Sequence, residues 1–253
     1  MSAKIKVRRE KIKEIIFAKK FVKVSELSNL FGVSEETIRR DLDELENEGL
    51  IERRHGGARI KEDLIISPLA KRFNKNIEQK KKIAERAVVE IKEGNVIFLD
   101  GGSTTFHIAI LLKNIKNITV VTNAINIAAE LVNNPYINLF ITPGKIRPDN
   151  QSIVGFETVK YIENYNIDIL FLGIGGITIE KGLTTSDVFE AEVKKAMIKS
   201  SNKVIGVADS SKFGRITMVS FATLSDLDML ITDGTSNKEI VEAIARYVKI
   251  EIV

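Results

Sequence analysis

The stretch VSEETIRRDLDEL, residues 33–45, has the spacing of an amphipathic helix. Ser34 is a good N-cap for it. The apolar side chains recur at helical spacing and form a single stripe: Ile38, Leu42 and Leu45. At about 100° per residue, Arg39 lies at the edge of this stripe and Arg40 nearly opposite it. The pattern therefore predicts a helix that packs through one face and directs two arginines outward.

Two shorter patterns precede this helix. Residues 7–18 have helical spacing and predict a first helix, and FVKV at 21–24 is extended. The segment SELSNLF predicts a second helix that Ser25 caps and Gly32 ends. The side chains expected to point inward are Val7, Ile12, Ile15, Ile16, Leu27, Leu30 and Phe31. Two short helices joined by a glycine turn are typical of a helix-turn-helix, whose second helix lies in the major groove of DNA.

Arginine suits the outer face of such a helix. Its planar guanidinium can bond guanine O6 and N7 together, or hold a phosphate through two hydrogen bonds. Glu35 and Glu36 could accept from cytosine N4, or simply support the helix dipole from the first turn. The predicted DNA contacts of this helix are Ser34, Thr37, Arg39 and Arg40.

The segment LIERRHGGARIK, residues 50–61, predicts a β-hairpin that turns at Gly56-Gly57. A hairpin directly behind a recognition helix is a wing, and its basic side chains would lie along phosphates or in the minor groove. The predicted contacts are Arg53, Arg54, His55 and Arg59. For His55, a hydrogen bond to phosphate or within the turn is a better interpretation than a pH switch.

The two motifs TIRRDLDEL and ERRHGGA together resemble the N-terminal winged helix-turn-helix of DeoR-type bacterial transcriptional regulators. The resemblance covers about residues 5–60. It implies that residues 21–40 form the helix-turn-helix, and that His55 and the glycine pair belong to the wing.

Charge is unevenly distributed along the 253 residues. Residues 1–82 carry 21 basic and 14 acidic side chains, net +7, whereas residues 83–253 carry 17 and 20, net −3. This asymmetry favours a DNA-binding segment attached to a neutral or acidic body, although a solvated lysine-rich terminus would give the same count. We predict a winged helix-turn-helix at 1–60, a linker at 61–75 interrupted by Pro68, and an effector domain at 76–253.

The composition excludes several classes of protein. The sequence has no cysteine and only two histidines, His55 and His107, which argues against disulfides, thiolate metal sites and a Ser/His/Asp triad. We expect no metal and no cofactor. No apolar run approaches the roughly 18 residues that a membrane span requires, so we expect a cytoplasmic protein with no membrane partner.

The remainder of the chain alternates short apolar runs with helical patterns. The runs are residues 95–100, 118–122, 137–142, 168–174, 203–208 and 229–233, and the helical patterns are 106–114, 124–132, 156–164, 186–201 and 239–248. Nearly continuous apolar strands separated by helices predict an α/β domain with a mostly parallel sheet that is covered on both faces.

Ligands of such sheets bind at the carboxyl ends of the strands. The first strand ends in LDGGSTT, where glycines, hydroxyls and a helix N-terminus suit a phosphate, although a turn of this kind can be purely structural. The predicted effector contacts here are Asp100, Gly101, Gly102, Ser103, Thr104 and Thr105. GIGGIT at 173–178 departs from the dinucleotide pattern at Thr178, so we expect no nicotinamide cofactor.

Further polar residues follow other strands. They are Asn123, Lys145 and Arg147, the pair Glu190 and Lys194 four residues apart on one helix, and Asp209 and Lys212. Each could be a cap, a surface pair or a solvated charge. Their convergence on one sheet edge predicts a pocket for an anionic polyol.

These motifs also resemble the effector domain of DeoR-type regulators, which is similar in fold to ribose-5-phosphate isomerase and glucosamine-phosphate deaminase. The matching segments are DGGSTT, TN at 122–123, GG at 175–176, EAEVKKAM and DSSKFG. The resemblance implies that the DGGSTT residues hold a sugar phosphate and that Glu190, Lys194, Asp209 and Lys212 complete the pocket. TPGKI at 142–146 departs from the expected glycine pair, which leaves the roles of Lys145 and Arg147 open.

Three functions fit these features. The first is a transcription factor, a homo-oligomeric repressor of a carbohydrate-utilisation operon that a phosphorylated sugar controls. The second is an active sugar-phosphate isomerase or deaminase with a DNA-binding appendage, in which Glu190 acts as base and Lys212 stabilises an enediolate. The third, a structural nucleoid protein, leaves the polar sheet edge unexplained. We favour the first, because the second gives the basic N-terminal third no purpose.

Overall fold

The computed structural model describes residues 3–19, 21–48, 50–61, 68–234 and 238–253. Contacts divide the chain into two compact units, Met1–Ile65 and Ile66–Val253. Within the described residues, no helix is both long and apolar enough to cross a membrane.

The first unit is a winged helix-turn-helix with its own core. Its elements are α1 (Ala3–Lys19), β1 (Phe21–Lys23), α2 (Val24–Phe31), α3 (Glu35–Asn47), β2 (Ile51–Arg54) and β3 (Gly57–Ile60). The strands form an antiparallel sheet in the order β1-β3-β2. The core includes Ile12, Ile16, Val22, Leu27, Ile38, Leu42, Leu45 and Ile51. The predicted fold of this unit is confirmed.

Local signals around the recognition helix are confirmed in detail. The Ser34 hydroxyl accepts the Thr37 N–H at the start of α3. Gly32, with φ 62°, closes α2 in the left-handed conformation, which favours glycine. The predicted stripe of Ile38, Leu42 and Leu45 is fully or almost fully buried.

The predicted start of α2 is wrong. The helix begins at Val24 rather than after a Ser25 cap, and Lys23 at the cap position makes no side-chain cap. Val24 is buried and shares the inner stripe with Leu27 and the half-buried Phe31, so Leu30 turns outward and is 63% exposed. Val7, also predicted to be inward, is 56% exposed.

The second unit contains the remaining elements. They are α4 (Leu69–Phe73), α5 (Ile77–Val88), β4 (Val96–Leu99), α6 (Ser103–Leu111), β5 (Ile118–Thr122), α7 (Ile125–Leu131), β6 (Ile137–Ile141), β7 (Lys145–Arg147), β8 (Ser152–Val154), α8 (Phe156–Ile162), β9 (Ile167–Gly173), β10 (Gly176–Thr178), β11 (Gly182–Thr185), α9 (Val188–Lys199), β12 (Ser201–Val207), β13 (Val219–Ala222), β14 (Met229–Thr232), α10 (Lys238–Ile244) and β15 (Ile250–Ile252).

A seven-stranded parallel sheet organises this unit in the order β15-β14-β12-β9-β4-β5-β6. Alternate side chains of β4 enter different layers, because Phe98 packs in one apolar cluster and Ile97 and Leu99 in the other. Helices α5, α6 and α7 contribute to the layer of Ile97, and α8, α9 and α10 to the layer of Phe98. Both faces are covered, which confirms the α/β prediction.

Several elements of this unit were not predicted, and the edge strand β15 is one of them. The hairpin β7–β8 and the small sheet β10-β11-β13 are short and antiparallel. Helix α5 lies in a lysine-rich stretch, where Ile83, Ala84 and Ala87 give only a narrow apolar stripe.

The predicted linker, residues 61–75, is described only in part, because residues 62–67 lie outside the described residues. Residues 69–73 form α4, which packs on the second unit. The Leu69 side chain is buried, and its N–H donates to the Asp149 carbonyl at 2.8 Å. The chain is therefore part of the second unit well before residue 76.

Candidate functional site

The two arginines of α3 are exposed, as the sequence predicts. The Arg39 side chain is 48% exposed and lies 2.7 Å from the Glu35 carboxylate. Arg40 is 76% exposed and lies 3.5 Å from Glu36. Exposed ion pairs of this kind stabilise a protein by only about 0–1 kcal/mol. Both guanidinium groups can therefore exchange a carboxylate for a nucleic-acid partner at little cost.

Arg53, a predicted DNA contact, is held against α3 in the structure. Its guanidinium donates to the Asp43 carboxylate and to the Arg39 carbonyl, the latter at 3.1 Å. Its backbone N–H donates to Glu46 at 2.8 Å. Because these acceptors belong to α3, Arg53 braces the wing against the recognition helix.

The other wing side chains remain on the surface. Arg54 and Arg59 both lie 3.0 Å from the Glu52 carboxylate, so one acidic residue holds two cations on the same face of the hairpin. His55 is exposed at the turn, beside Gly56 with φ 74°. These three side chains are available to a phosphate backbone.

A buried carboxylate that the sequence reading missed joins α1 to α3. Asp41 is almost fully buried and accepts from Arg8 Nε at 2.6 Å and from Arg9 Nε at 2.9 Å. Two guanidinium groups on one carboxylate satisfy its charge and fix the back of the recognition helix. The sequence did contain a sign of this role, because Asp41 lies on the apolar side of α3 beside Ile38 and Leu42.

In the second unit, a cleft opens at the carboxyl ends of the parallel strands. Its polar lining comes from the DGGSTT turn, from β7 and the loop after it, and from α9. The lining residues include Arg72, Gly101, Gly102, Ser103, Thr104, Thr105, Arg147, Asp149, Asn150, Ser186, Glu190, Lys194 and Lys212. This is the sheet edge at which the sequence predicts a pocket.

Asp100 lies beneath the cleft rather than on its surface. Its side chain is 1% exposed, and its two oxygens accept the Gly101 N–H at 2.8 Å and the Gly173 N–H at 2.9 Å. Lys194 forms an ion pair with it and donates to the Gly173 carbonyl. Burial raises the pKa of Asp100, and the positive charge of Lys194 opposes that rise. Asp100 therefore positions two loops of the cleft wall.

Asn123 supports the same wall from the next strand. Its side-chain oxygen accepts the Gly101 N–H at 3.0 Å, and its amide donates to the Ile153 carbonyl at 3.2 Å. A Cβ on Gly101 would lie 3.0 Å from that of Ser152, so only glycine fits this approach without displacement.

The first turn of α6 faces the cleft. Gly102 occupies the cap position without a side-chain cap, and Thr105 Oγ1 donates to the Gly102 carbonyl at 3.0 Å. The first N–H groups of a helix lack intrahelical partners, and the helix dipole places partial positive charge there. With the hydroxyls of Ser103 and Thr104, this turn can hold an anion.

Arg147, whose role the sequence left open, is surrounded by carboxylates. It lies 2.6 Å from Glu190, 3.0 Å from Asp149 and 3.7 Å from Asp187. Burial acts to raise the pKa of Glu190, but the positive charges of Lys194 and Arg147 outweigh it and hold this pKa below its usual value. Glu190 is therefore ionised at neutral pH. We call these four residues the Arg147 cluster.

Lys212 and Arg72 supply cations elsewhere in the lining. Burial, only partly offset by Asp209, lowers the pKa of Lys212 to about 8. Asp209 lies behind it and accepts from Asn76 Nδ2 at 2.9 Å. Arg72 donates to the Asn150 side chain, and its own carbonyl accepts from buried Lys80. Arg72, Asn76 and Lys80 lie in or beside the lysine-rich stretch, so local pattern gave no signal for them.

The structure brings together most of the predicted effector residues. Those that line the cleft are Gly101, Gly102, Ser103, Thr104, Thr105, Glu190, Lys194 and Lys212. Asp100, Asn123 and Asp209 support them from behind. Lys145 is exposed on β7 and is not among the lining residues of the cleft.

Comparison with known proteins identifies both units. The model of the DeoR-like helix-turn-helix domain matches residues 8–63, and that of the DeoR C terminal sensor domain matches residues 75–234. The HTH-type transcriptional regulator GlpR of Haloferax volcanii is 40% identical over 234 residues, which cover 90% of this chain and 89% of the relative. The glycerol-3-phosphate regulon repressor of Escherichia coli strain K12 is 32% identical over 246 residues, 97% and 98% of the two chains.

Among solved structures, ribose 5-phosphate isomerase A of Methanocaldococcus jannaschii aligns with 55% of each chain, at a TM-score of 0.41 and 20% identity.

Proposed function

The chain belongs to the DeoR family of transcriptional regulators, and on this premise we propose that it is a repressor of a carbohydrate-utilisation operon. It binds operator DNA through its first unit and a phosphorylated sugar in the cleft of its second unit. One observation carries the proposal: a helix N-terminus and two cationic side chains, Arg72 and Lys212, line a single cleft at the carboxyl ends of the sheet.

The DNA-binding half of the proposal rests on exposed cations. Arg39 and Arg40 on α3 would enter the major groove, near Ser34 and Thr37 at the start of the helix. Arg54, His55 and Arg59 of the wing would contact phosphates, which adds affinity that falls as salt rises. Two half-sites are read best by paired recognition helices, so we propose a homo-oligomer.

The effector half rests on the chemistry of the cleft. A phosphate would accept hydrogen bonds from the first turn of α6 and from Lys212 or Arg72. Sugar hydroxyls would bond to the carboxylates and amides around them. The names of the relatives support this class of ligand, since the Escherichia coli protein is named for a glycerol-3-phosphate regulon.

Regulation is favoured over turnover. The relatives are named as regulators. Glu190, the base of the enzyme hypothesis, is paired with Arg147 at 2.6 Å, and its lowered pKa makes it a weak proton acceptor. A sensor needs only to bind its effector with different affinity in its DNA-competent and DNA-incompetent states. A coupling free energy of about 1–3 kcal/mol would change DNA affinity by roughly 5–150-fold.

The effector response should depend on Lys212. In Lys212→Ala, we expect operator affinity to stay within about twofold of wild type, and release of DNA by sugar phosphates to be lost, because a cation of the anion site is removed. Fluorescence anisotropy of a labelled operator, titrated with pentose and hexose phosphates, measures both. Lys195→Ala, an exposed lysine of α9 outside the cleft, is the matched control. A normal response in Lys212→Ala would contradict the site.

Effector affinity should also fall as pH rises through about 8. Below this value Lys212 is charged and attracts a phosphate ester, which is already dianionic above about pH 7.5. Above it the amine is neutral, and binding must take up a proton. Calorimetric titration in two buffers of different ionisation enthalpy, from pH 7 to 9.5, measures that uptake. Lys212→Arg keeps its charge throughout this range, so an unchanged pH dependence in that variant would assign the effect elsewhere.

A further inference from the structure

The Arg147 cluster carries an excess of negative charge. One guanidinium faces the carboxylates of Glu190, Asp149 and Asp187 at 2.6, 3.0 and 3.7 Å. Lys194 lies 3.5 Å from Glu190, but it forms a closer ion pair with buried Asp100. Arg147 and Lys194 are therefore both already paired with carboxylates of the protein and do not neutralise a second anionic group of a ligand. Glu190 and Asp149 both line the cleft.

Several cations lie around Lys212. Arg215, Arg72 and Lys80 all act on it, together with the carboxylate of Asp209. Arg72 lines the same cleft and donates to the Asn150 side chain, and its charge interacts with Glu190 and Asp149 as well as with Lys212. With the first turn of α6, Lys212 and Arg72 form a cationic side, and the Arg147 cluster forms an anionic side.

We infer that the cleft selects ligands with a single anionic end. Their phosphate lies on the Lys212 side, and a hydroxyl or a protonated amine faces the Arg147 cluster. The ligand class is a phosphorylated polyol or aminosugar, not a bisphosphate or a phosphorylated sugar acid. This inference rests on the proposed function, since it specifies the ligand of the same cleft.

The selection follows from what each group can donate. A hydroxyl or ammonium group donates a charge-assisted hydrogen bond to the Glu190 carboxylate. A second phosphate or a carboxylate has no donor, and it would approach a nearly buried, ionised glutamate in surroundings of low dielectric constant. Rejection through like charge is a common source of specificity.

Matched ligands of one carbon skeleton test the inference with the full-length protein. One set is glucose 6-phosphate, glucosamine 6-phosphate and 6-phosphogluconate, a second is fructose 6-phosphate and fructose 1,6-bisphosphate, and a third is glycerol 3-phosphate and 3-phosphoglycerate. Dissociation constants come from calorimetry, with inorganic phosphate as the common reference. In each set whose monophosphate binds, we expect the analogue with a second anion to bind at least about tenfold more weakly.

Glu190→Gln should reduce this ratio, because it removes one negative charge from the anionic side. Glu192→Gln on the same helix, whose partner Lys195 is exposed, should leave the ratio unchanged. If Glu190→Gln does not fold, Asp149→Asn serves instead, since its side chain is 49% exposed.

Equal binding of monophosphates and second-anion analogues by the wild type would overturn the inference. An unchanged ratio of dissociation constants in Glu190→Gln, or in Asp149→Asn, would overturn it too. Both outcomes would leave the proposed function intact. Failure of every phosphate compound to bind would overturn the proposed function itself.

Discussion

Replacing Arg39 and Arg40 together with alanine is expected to weaken binding to the specific operator by about a hundredfold or more. Each arginine that bonds a base edge bidentately contributes about 1–3 kcal/mol of discrimination. Both side chains are exposed and pair with neighbouring glutamates of the same helix, so their loss leaves the core of the first unit intact. The helix should therefore remain folded while its reading of DNA is lost.

The operator for this test is the duplex that the wild-type protein selects from a randomised pool. Anisotropy at fixed salt gives affinity for this duplex and for a scrambled one. Removal of two exposed lysines from the second unit, Lys160→Ala with Lys195→Ala, lowers net charge equally and should have little effect. If the two arginines contact bases, affinity should fall for the selected duplex alone. If they contact phosphates, affinity should fall by a similar factor for the selected and the scrambled duplex. Unchanged affinity for the selected duplex would refute the assignment of α3 as recognition helix.

Lys194→Met is expected to destabilise the second unit by about 3–5 kcal/mol, because it leaves the buried Asp100 carboxylate without its cation. The pKa of Asp100, already raised by burial, would rise further. A carboxyl whose folded-state pKa exceeds its unfolded value contributes stability that is lost as pH increases. The difference between the variant and the wild type in free energy of unfolding should therefore be smallest at acid pH, where Asp100 is protonated.

Urea unfolding followed by tyrosine fluorescence isolates this effect. All four tyrosines, Tyr136, Tyr161, Tyr165 and Tyr247, belong to the second unit, and the sequence has no tryptophan. Lys195→Met, at an exposed neighbouring position, is the control. Combining Lys194→Met with Asp100→Asn should restore part of the lost stability, since the unpaired charge is then absent. A loss below about 1 kcal/mol in Lys194→Met would show that the pair is not a structural centre of the cleft.

Patterns that depend on neighbouring residues were predicted well from the sequence. The Ser34 cap, the Gly32 turn and the apolar stripe of α3 each involve contacts within a few residues, and the structure contains all three. The inner parallel strands were also recognisable, because β4, β5, β9 and β14 are largely buried on both faces and read as continuous apolar runs.

Roles that depend on distant partners were not predictable in the same way. Asp100 and Lys194 are 94 positions apart, and only the folded sheet shows that they form a buried ion pair. Arg53 was predicted to contact phosphate because it is a basic residue of the wing. Nothing in the sequence indicated that its guanidinium also donates to Asp43 and braces the wing. Arg72 comes from a stretch without clear periodicity, and its place in the cleft follows from the packing of α4.

The strand order of the large sheet has a consequence for synthesis on the ribosome. Strand β4 is flanked by β9 and β5, so residues 96–99 cannot complete their pairing until residues 167–173 have been translated. The first unit needs only its own residues, and nascent domains generally fold in the order in which they emerge. A nonsense mutation between β4 and β9 would leave a first unit that can fold and a second unit that cannot. We expect such a truncated protein to lose its response to the effector while its first unit can still bind DNA.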